Sequence, residues 1–264
     1  MKIYREISIG YLSCFLTGNF FLTNLNRREN FSYFVLIFSD KNYFNLYKMA
    51  KADITTVLFG LDGVIVDTEK EYDKFWSRIA EENDFKIDHF ASIIKGMTLN
   101  SVIELYFAIS TPEEKMAIRR ACSEVEQSID YTKVVIPGVL EFITYLKEKE
   151  YKIGLVTSSP PTKVQVVLDQ VGLSDTFDTI ITSDSIKRGK PDPMGYVLAK
   201  TNLGVQSNEC VVFEDSFTGI KAATYAFMRV IGVATTLSVD FLKDYTYNTI
   251  HDFTDLEHLK TFLN

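Results

Sequence analysis

Four short stretches of this 264-residue chain place carboxylates, hydroxyls or an amine beside apolar runs or turn residues. The first is Gly60-Leu61-Asp62-Gly63, after the apolar run 54–59. The second is Thr157-Ser158-Ser159, after Ile153-Gly154-Leu155-Val156. The third is Gly189-Lys190-Pro191-Asp192-Pro193, and the fourth is Glu214-Asp215-Ser216, after Val211-Val212-Phe213. Carboxylate oxygens suit a hard divalent cation, and a lysine suits an anion. Each stretch alone is weak evidence. An acidic pair after a strand is more often a turn than a metal site, a threonine ending a strand is usually a helix cap, and a lysine before proline is usually on the surface. All four in order, at strand ends and separated by helices, are hard to obtain by chance.

The elements that must position these groups read as alternating strands and helices. Strands are expected at 54–59, 151–156, 179–182, 210–213 and 229–233. Helical spacing of apolar residues covers 69–83, where Tyr72, Phe75, Trp76, Ile79 and Ala80 share a face. Further helices are expected at 99–109, 112–129, 139–150, 164–171, 194–202 and 219–226. Pro112 followed by Glu113 and Glu114 is a good helix start. The alternation implies an α/β fold with a Rossmann-like parallel sheet covered on both faces. Loops beyond the carboxyl ends of such strands are where ligands bind. The helical block 68–132 interrupts the alternation after the first strand and reads as an inserted cap, leaving 49–67 and 133–264 as the core.

Composition excludes some functions. A net charge of −7 argues against nucleic acid and anionic membrane as main partners. It leaves phosphorylated substrates open, since a local cation or Mg²⁺ can bind them inside an acidic protein. Cys14, Cys122 and Cys210 are odd in number and widely spaced, and the three histidines form no ligand-spaced cluster. Neither a disulfide framework nor a zinc site follows, and a reduced cytoplasmic setting fits best. Residues 1–48 differ from the rest: seven Phe and five Tyr stand among them, a composition that A/T-rich coding sequence produces. They read as an atypical leader, with the functional chain of 216 residues expected from Met49.

The run Leu58-Phe59-Gly60-Leu61-Asp62-Gly63-Val64-Ile65-Val66-Asp67-Thr68 resembles the first motif of the haloacid dehalogenase superfamily. The second, third and fourth stretches are similar to that family's other three motifs, in order, over residues 54–233. The run from Val212 to Ala223 is especially typical. The resemblance is strongest to the subgroup of β-phosphoglucomutases and small-metabolite phosphatases with a helical cap. It implies Mg²⁺-dependent phosphoryl transfer through an aspartyl-phosphate that water then hydrolyses. Asp62 would protonate the leaving oxygen and later activate the water. Gly63 would let the backbone approach the phosphate, and Thr157, with Ser158, would bind phosphoryl oxygens. Lys190 would neutralise the phosphate and the nucleophile. Asp215 and Glu214, with the Asp62 backbone carbonyl, would hold Mg²⁺.

This chain departs from the pattern at the decisive position. Family members carry the nucleophilic aspartate where Gly60 stands, so the expected phosphatase is impaired as written. The resemblance also leaves open a non-catalytic binder of phosphate esters. A mutase is disfavoured: the cap histidine and arginine of such mutases fall at Tyr72 and at Leu99 in Lys95-Gly96-Met97-Thr98-Leu99. Lys95 and Thr98 are candidate substrate contacts, or else a loop lysine and a helix cap. Ala226-Phe227-Met228 stands where the family commonly has Ala-Gly-Met. The implied partner is a small phosphorylated metabolite, and monomer and dimer are both left open.

Overall fold

A computed structural model describes residues 53–264. The expected leader and Cys14 lie outside the described residues. Strand β1, Thr56–Phe59, is followed by a block of four helices. These are α1 (Glu69–Glu82), α2 (Phe90–Ile93), α3 (Leu99–Tyr106) and α4 (Pro112–Ser128). Then come α5 (Val139–Glu148), β2 (Lys152–Val156), α6 (Pro161–Val171), β3 (Thr179–Ile181) and α7 (Met194–Leu203). The chain continues through β4 (Cys210–Glu214), α8 (Phe217–Tyr225), β5 (Arg229–Val233), α9 (Val239–Leu242), β6 (Asn248–Ile250) and α10 (Leu256–Lys260).

All six strands run parallel in the order β3-β2-β1-β4-β5-β6. Connections from β1 lead one way through β2 to β3, and those from β4 lead the other way. The reversal leaves a crevice at the carboxyl ends of β1 and β4, the place where open α/β sheets bind ligands. Phe59 pairs in register with Leu155 on β2 and Phe213 on β4. The three loops that follow these strands therefore start side by side.

Side chains alternate across the sheet and build two cores. Val57 and Phe59 point to one face, where Phe59, Phe142, Phe213 and Phe253 pack with ring centroids 5.1–6.2 Å apart. Leu58 and Val212 point to the other, against Tyr196, Ala199 and Ile220. The helical segment α1–α4 has its own apolar cluster, including Phe75, Trp76, Phe90, Val102 and Ile118. Thr111 and Glu114 close a reciprocal capping box at the start of α4, which is why that helix begins where its sequence says it should.

Helix α6 starts three residues earlier than the apolar spacing suggests, because Pro161 occupies its first turn. Helix α3 stops at Tyr106 rather than running to 109, and Ile109 is fully exposed. Elements α2, β6, α9 and α10 are absent from the sequence expectation. Each is three to five residues long, too short for a period to be read.

Candidate active site

Gly60 leaves β1 with its amide still bonded to the Phe213 carbonyl of β4 at 3.0 Å. Its backbone lies outside the left-handed region. A Cβ there would come 3.0 Å from Val64 Cγ2 and 3.5 Å from Glu214 Oε1. A side chain at position 60 would thus point at the Glu214 carboxylate, and only a valine methyl would have to yield. Around it lies a cavity of about 250 Å³, walled on the sheet side by Gly60, Asp62, Thr157, Ser158, Lys190 and Asp215. On the helical side the walls are Tyr72, Trp76, Lys95, Leu99, Arg119 and Glu126.

Asp62 accepts three hydrogen bonds. Its Oδ1 accepts from Thr68 Oγ1 at 2.5 Å and from Lys163 Nζ at 2.5 Å. Its Oδ2 accepts from Ser159 Oγ at 2.9 Å. Burial opposes ionisation of Asp62, but the Lys163 ammonium and the two hydroxyls outweigh it and hold the carboxyl below its ordinary value.

Lys163, in the first turn of α6, has a side chain only 1% exposed. Its Nζ also donates to the Tyr72 hydroxyl at 2.7 Å and lies 4.6 Å from that ring's centroid. The Tyr72 hydroxyl in turn donates to Glu126 Oε1 at 2.8 Å. Burial, with the nearby Glu126 charge, pushes the Cys122 thiol up to about 12.

Lys190 is buried despite the proline that follows it. Its Nζ donates to the Val156 carbonyl at 3.1 Å and pairs with Glu214 Oε1. Tyr196 adds a hydroxyl donor to the same oxygen at 2.6 Å. Asp215 accepts from the Thr236 hydroxyl. Burial, then the charges of Glu214 and Glu69, push its carboxyl well above the ordinary aspartate value, against the opposing pull of Thr236 and Lys190.

The sequence-derived candidates do not all sit as expected. Gly63 has φ +71°, and a Cβ there would fall 1.9 Å from Asp215 Oδ2. The close approach at Gly63 is therefore to the Asp215 carboxylate, and Gly63 does not line the cavity. Thr98 does not line it either: its Oγ1 accepts from the Ser101 amide at 3.1 Å and caps α3. Lys95 does face the cavity, 2.5 Å from Glu69 Oε2 and 3.1 Å from Asp73 Oδ1. Ser158 Oγ donates to the Gly96 carbonyl at 2.7 Å, tying its loop to the helical segment. Glu214, expected beside Mg²⁺, instead neutralises Lys190.

Among the described residues, no group of three or more Asp, Glu, His or Cys side chains is gathered to hold a metal ion. Of the expected metal residues, Asp215 has a carboxylate with no lysine in ion-pair contact. A buried, strained-to-ionise carboxyl of this kind fits a hard cation.

Sequence reading missed Lys163, Ser159, Thr68 and Glu126. No local signal marked Lys163: the apolar spacing starts its helix at 164, and only its burial in the first turn, where a cation opposes the macrodipole, demands the acidic partner that Asp62 supplies.

The family model described as haloacid dehalogenase-like hydrolase matches residues 57–233. The chain belongs to this family. Within the haloacid dehalogenase-like hydrolases, it is 28% identical over 203 residues to validoxylamine A 7'-phosphate phosphatase of Streptomyces hygroscopicus, covering 75% of this chain and 91% of that one. It is 30% identical over 187 residues to the phosphorylated carbohydrates phosphatase of Thermotoga maritima, covering 69% and 86%. The fold is similar to that of the solved β-phosphoglucomutase of Clostridium difficile, with TM-score 0.68 and 25% identity over 80% of this chain and 97% of that one. The Rossmann-like α/β architecture expected from the sequence is the one observed.

Proposed function

We propose that this chain carries a phosphomonoester hydrolase site for a small sugar or polyol phosphate, disarmed at Gly60. The observation that carries the reading is the convergence of Asp62, Thr157, Lys190 and Asp215 around the Gly60 notch, on the crevice between β1 and β4. The similar phosphatases named above act on phosphorylated carbohydrate-like molecules, and a cavity of about 250 Å³ suits a substrate of that size.

In this reading the phosphoryl group sits over Gly60. Thr157 donates to one of its oxygens, and Lys190 offsets its negative charge. The helical segment acts as a cap that closes over the remainder of the substrate. Asp215 and the Asp62 main-chain carbonyl would hold Mg²⁺, which when bound neutralises charge on the phosphoryl oxygens. In an armed relative, the carboxylate at position 60 attacks phosphorus, the P–O ester bond breaks, and Asp62 supplies the proton to the leaving oxygen. Here Asp62 retains only the role of base toward a water that attacks phosphorus directly. Losing the nucleophile together with a metal ligand costs roughly 10³-fold or more in turnover.

A second reading rests on Gly60 itself: the protein binds phosphate esters without consuming them. A mutase is not favoured. Tyr72, at the place of the cap histidine, is tied to Lys163 and Glu126, and Leu99 offers no cation. The setting is proposed to be cytoplasmic. Among the described residues, no helix is long and apolar enough to cross a membrane.

The test is Mg²⁺-dependent phosphate release from a panel of sugar and polyol phosphates, with the chain and its Gly60→Asp partner side by side. Activity confined to the partner supports the disarmed phosphatase. Equal turnover in both rejects the assignment of position 60. Activity in neither, with calorimetric binding retained, favours the binder.

A further inference from the structure

Lys163 is a buried cation that connects the sheet side of the molecule with the helical segment. From α6, beside the sheet, it reaches Asp62 Oδ1 at 2.5 Å on the loop after β1. It reaches the Tyr72 hydroxyl at 2.7 Å on α1 of the helical segment. Tyr72 hands the connection on to Glu126 of α4 at 2.8 Å. Every group between Asp62 and Glu126 is a charged or hydroxyl donor or acceptor, and the ammonium is almost completely shielded from water. An ammonium withdrawn from water in this way is costly unless it keeps its partners. Moving α1 off the sheet would break the Tyr72 bond and leave a buried cation with one fewer acceptor.

We propose that Lys163 is a positioning residue, which aims the Asp62 carboxylate only while the helical segment is seated. The inference rests on the reading of Asp62 as the acid/base group. Lys163 and Thr68 bind the same oxygen, Oδ1, while Ser159 holds Oδ2. Together the three donors fix the plane of the carboxylate. Removing Lys163 leaves two short hydroxyl arms, Thr68 at the start of α1 and Ser159, and cuts the tie from Asp62 to Tyr72 and Glu126. Of the substrate's phosphoryl contacts, Lys190 lies on another loop, and Thr157, on the loop of Ser159, accepts from the Ser159 amide at 3.0 Å rather than from Lys163.

Two measurements test this. The chain has a single tryptophan, Trp76, one helical turn from Tyr72 on α1 and on the cavity wall. Acrylamide quenching of Trp76 in the chain as it stands is expected to rise in Lys163→Met and in Tyr72→Phe. Unchanged quenching in both variants overturns the tie between cap and core. In the Gly60→Asp protein, Lys163→Met is expected to lower kcat by about 10²-fold, the scale of a small misplacement of a reacting group, with KM held within about twofold. A parallel rise in KM, or an unchanged kcat in a folded variant, overturns the positioning role. If Lys163→Met fails to fold, Tyr72→Phe decides: a fall in kcat of several-fold at constant KM supports the proposal, and parent-like kinetics reject it. Inactivity of Gly60→Asp itself on the whole panel would remove the phosphatase reading and, with it, the catalytic half of this proposal.

Discussion

At the scale of single residues, Gly60 and Phe227 carry opposite lessons. Position 60 is prepared for a side chain: its backbone is ordinary and the space above it is open except for one valine methyl. Gly60→Asp is therefore expected to fold with parent-like stability while raising Mg²⁺-dependent phosphate release roughly 10³-fold or more, measured on the panel above. Phe227 is unprepared for the residue it has. It follows the end of α8 with φ +63°, in the left-handed region where a Cβ is penalised. Phe227→Gly is expected to stabilise the protein by about 1 kcal/mol in urea unfolding. The cysteines give a third expectation. Burial drives both Cys122 and Cys210 up to about 12, so neither is a thiolate at neutral pH. Iodoacetamide at pH 8 should leave both unlabelled in the folded protein, as peptide mapping would record. Labelling of Cys122 would reopen the question of a substitute nucleophile.

Asp62 and Lys163 give a pH dependence whose sign is fixed. The folded carboxyl titrates below its ordinary value, so its stabilising effect is present above the unfolded aspartate pKa of about 3.9 and is lost as pH falls through the folded value. The stability gap between the parent and Lys163→Met should be widest near neutrality and narrow below about pH 4. Urea titrations across that range would show it, and a gap that widens in acid would contradict the pairing.

At the scale of elements, what the sequence revealed was what had a period or a punctuating residue. The apolar runs of β1 and β4 and the spacing in α1 and α4 announced themselves. Pro112, with Glu113 and Glu114, fixed the start of α4 to the residue. Thr111→Ala should cost about 1 kcal/mol, read by urea unfolding, because it leaves the Glu114 amide of the first turn without its hydroxyl acceptor. The short elements β6 and α9 were illegible because three or four residues contain less than one informative repeat. The site divided along a similar line. Asp62, Thr157 and Asp215 were visible from their position after apolar runs, and Lys190 from the resemblance of its stretch to the family's third motif. Lys163 and Glu126 were not, because they reach the cavity from helix faces through tertiary packing that no local pattern encodes. Gly63 was expected against the phosphate but makes room for a carboxylate, and of the two readings of Thr98 the helix cap is the one observed.

At the scale of the whole molecule, the parallel sheet holds its loops at one edge, and the helical segment closes over them with an apolar cluster of its own. A ligand that bridges the loops after β1 and β4 stabilises the fold by mass action. Mg²⁺ is expected to raise the melting temperature of the Gly60→Asp protein more than that of the parent, since only the former has a carboxylate at position 60. Equal shifts in differential scanning fluorimetry would move the metal away from that notch.

The pairing of Glu214 with Lys190 and Tyr196 reaches beyond chemistry to ancestry. These three side chains are buried against one another at the end of the central strands, and removing Glu214 would take the acceptor from both Lys190 and Tyr196. Gly63 is bound in the same way, since any larger residue would collide with Asp215. A lineage that had stopped hydrolysing esters would still be penalised for replacing them, whereas position 60 could change without harm to the fold. The motifs would then outlive the reaction they once served, and a single base change, Gly to Asp, would be enough to return it.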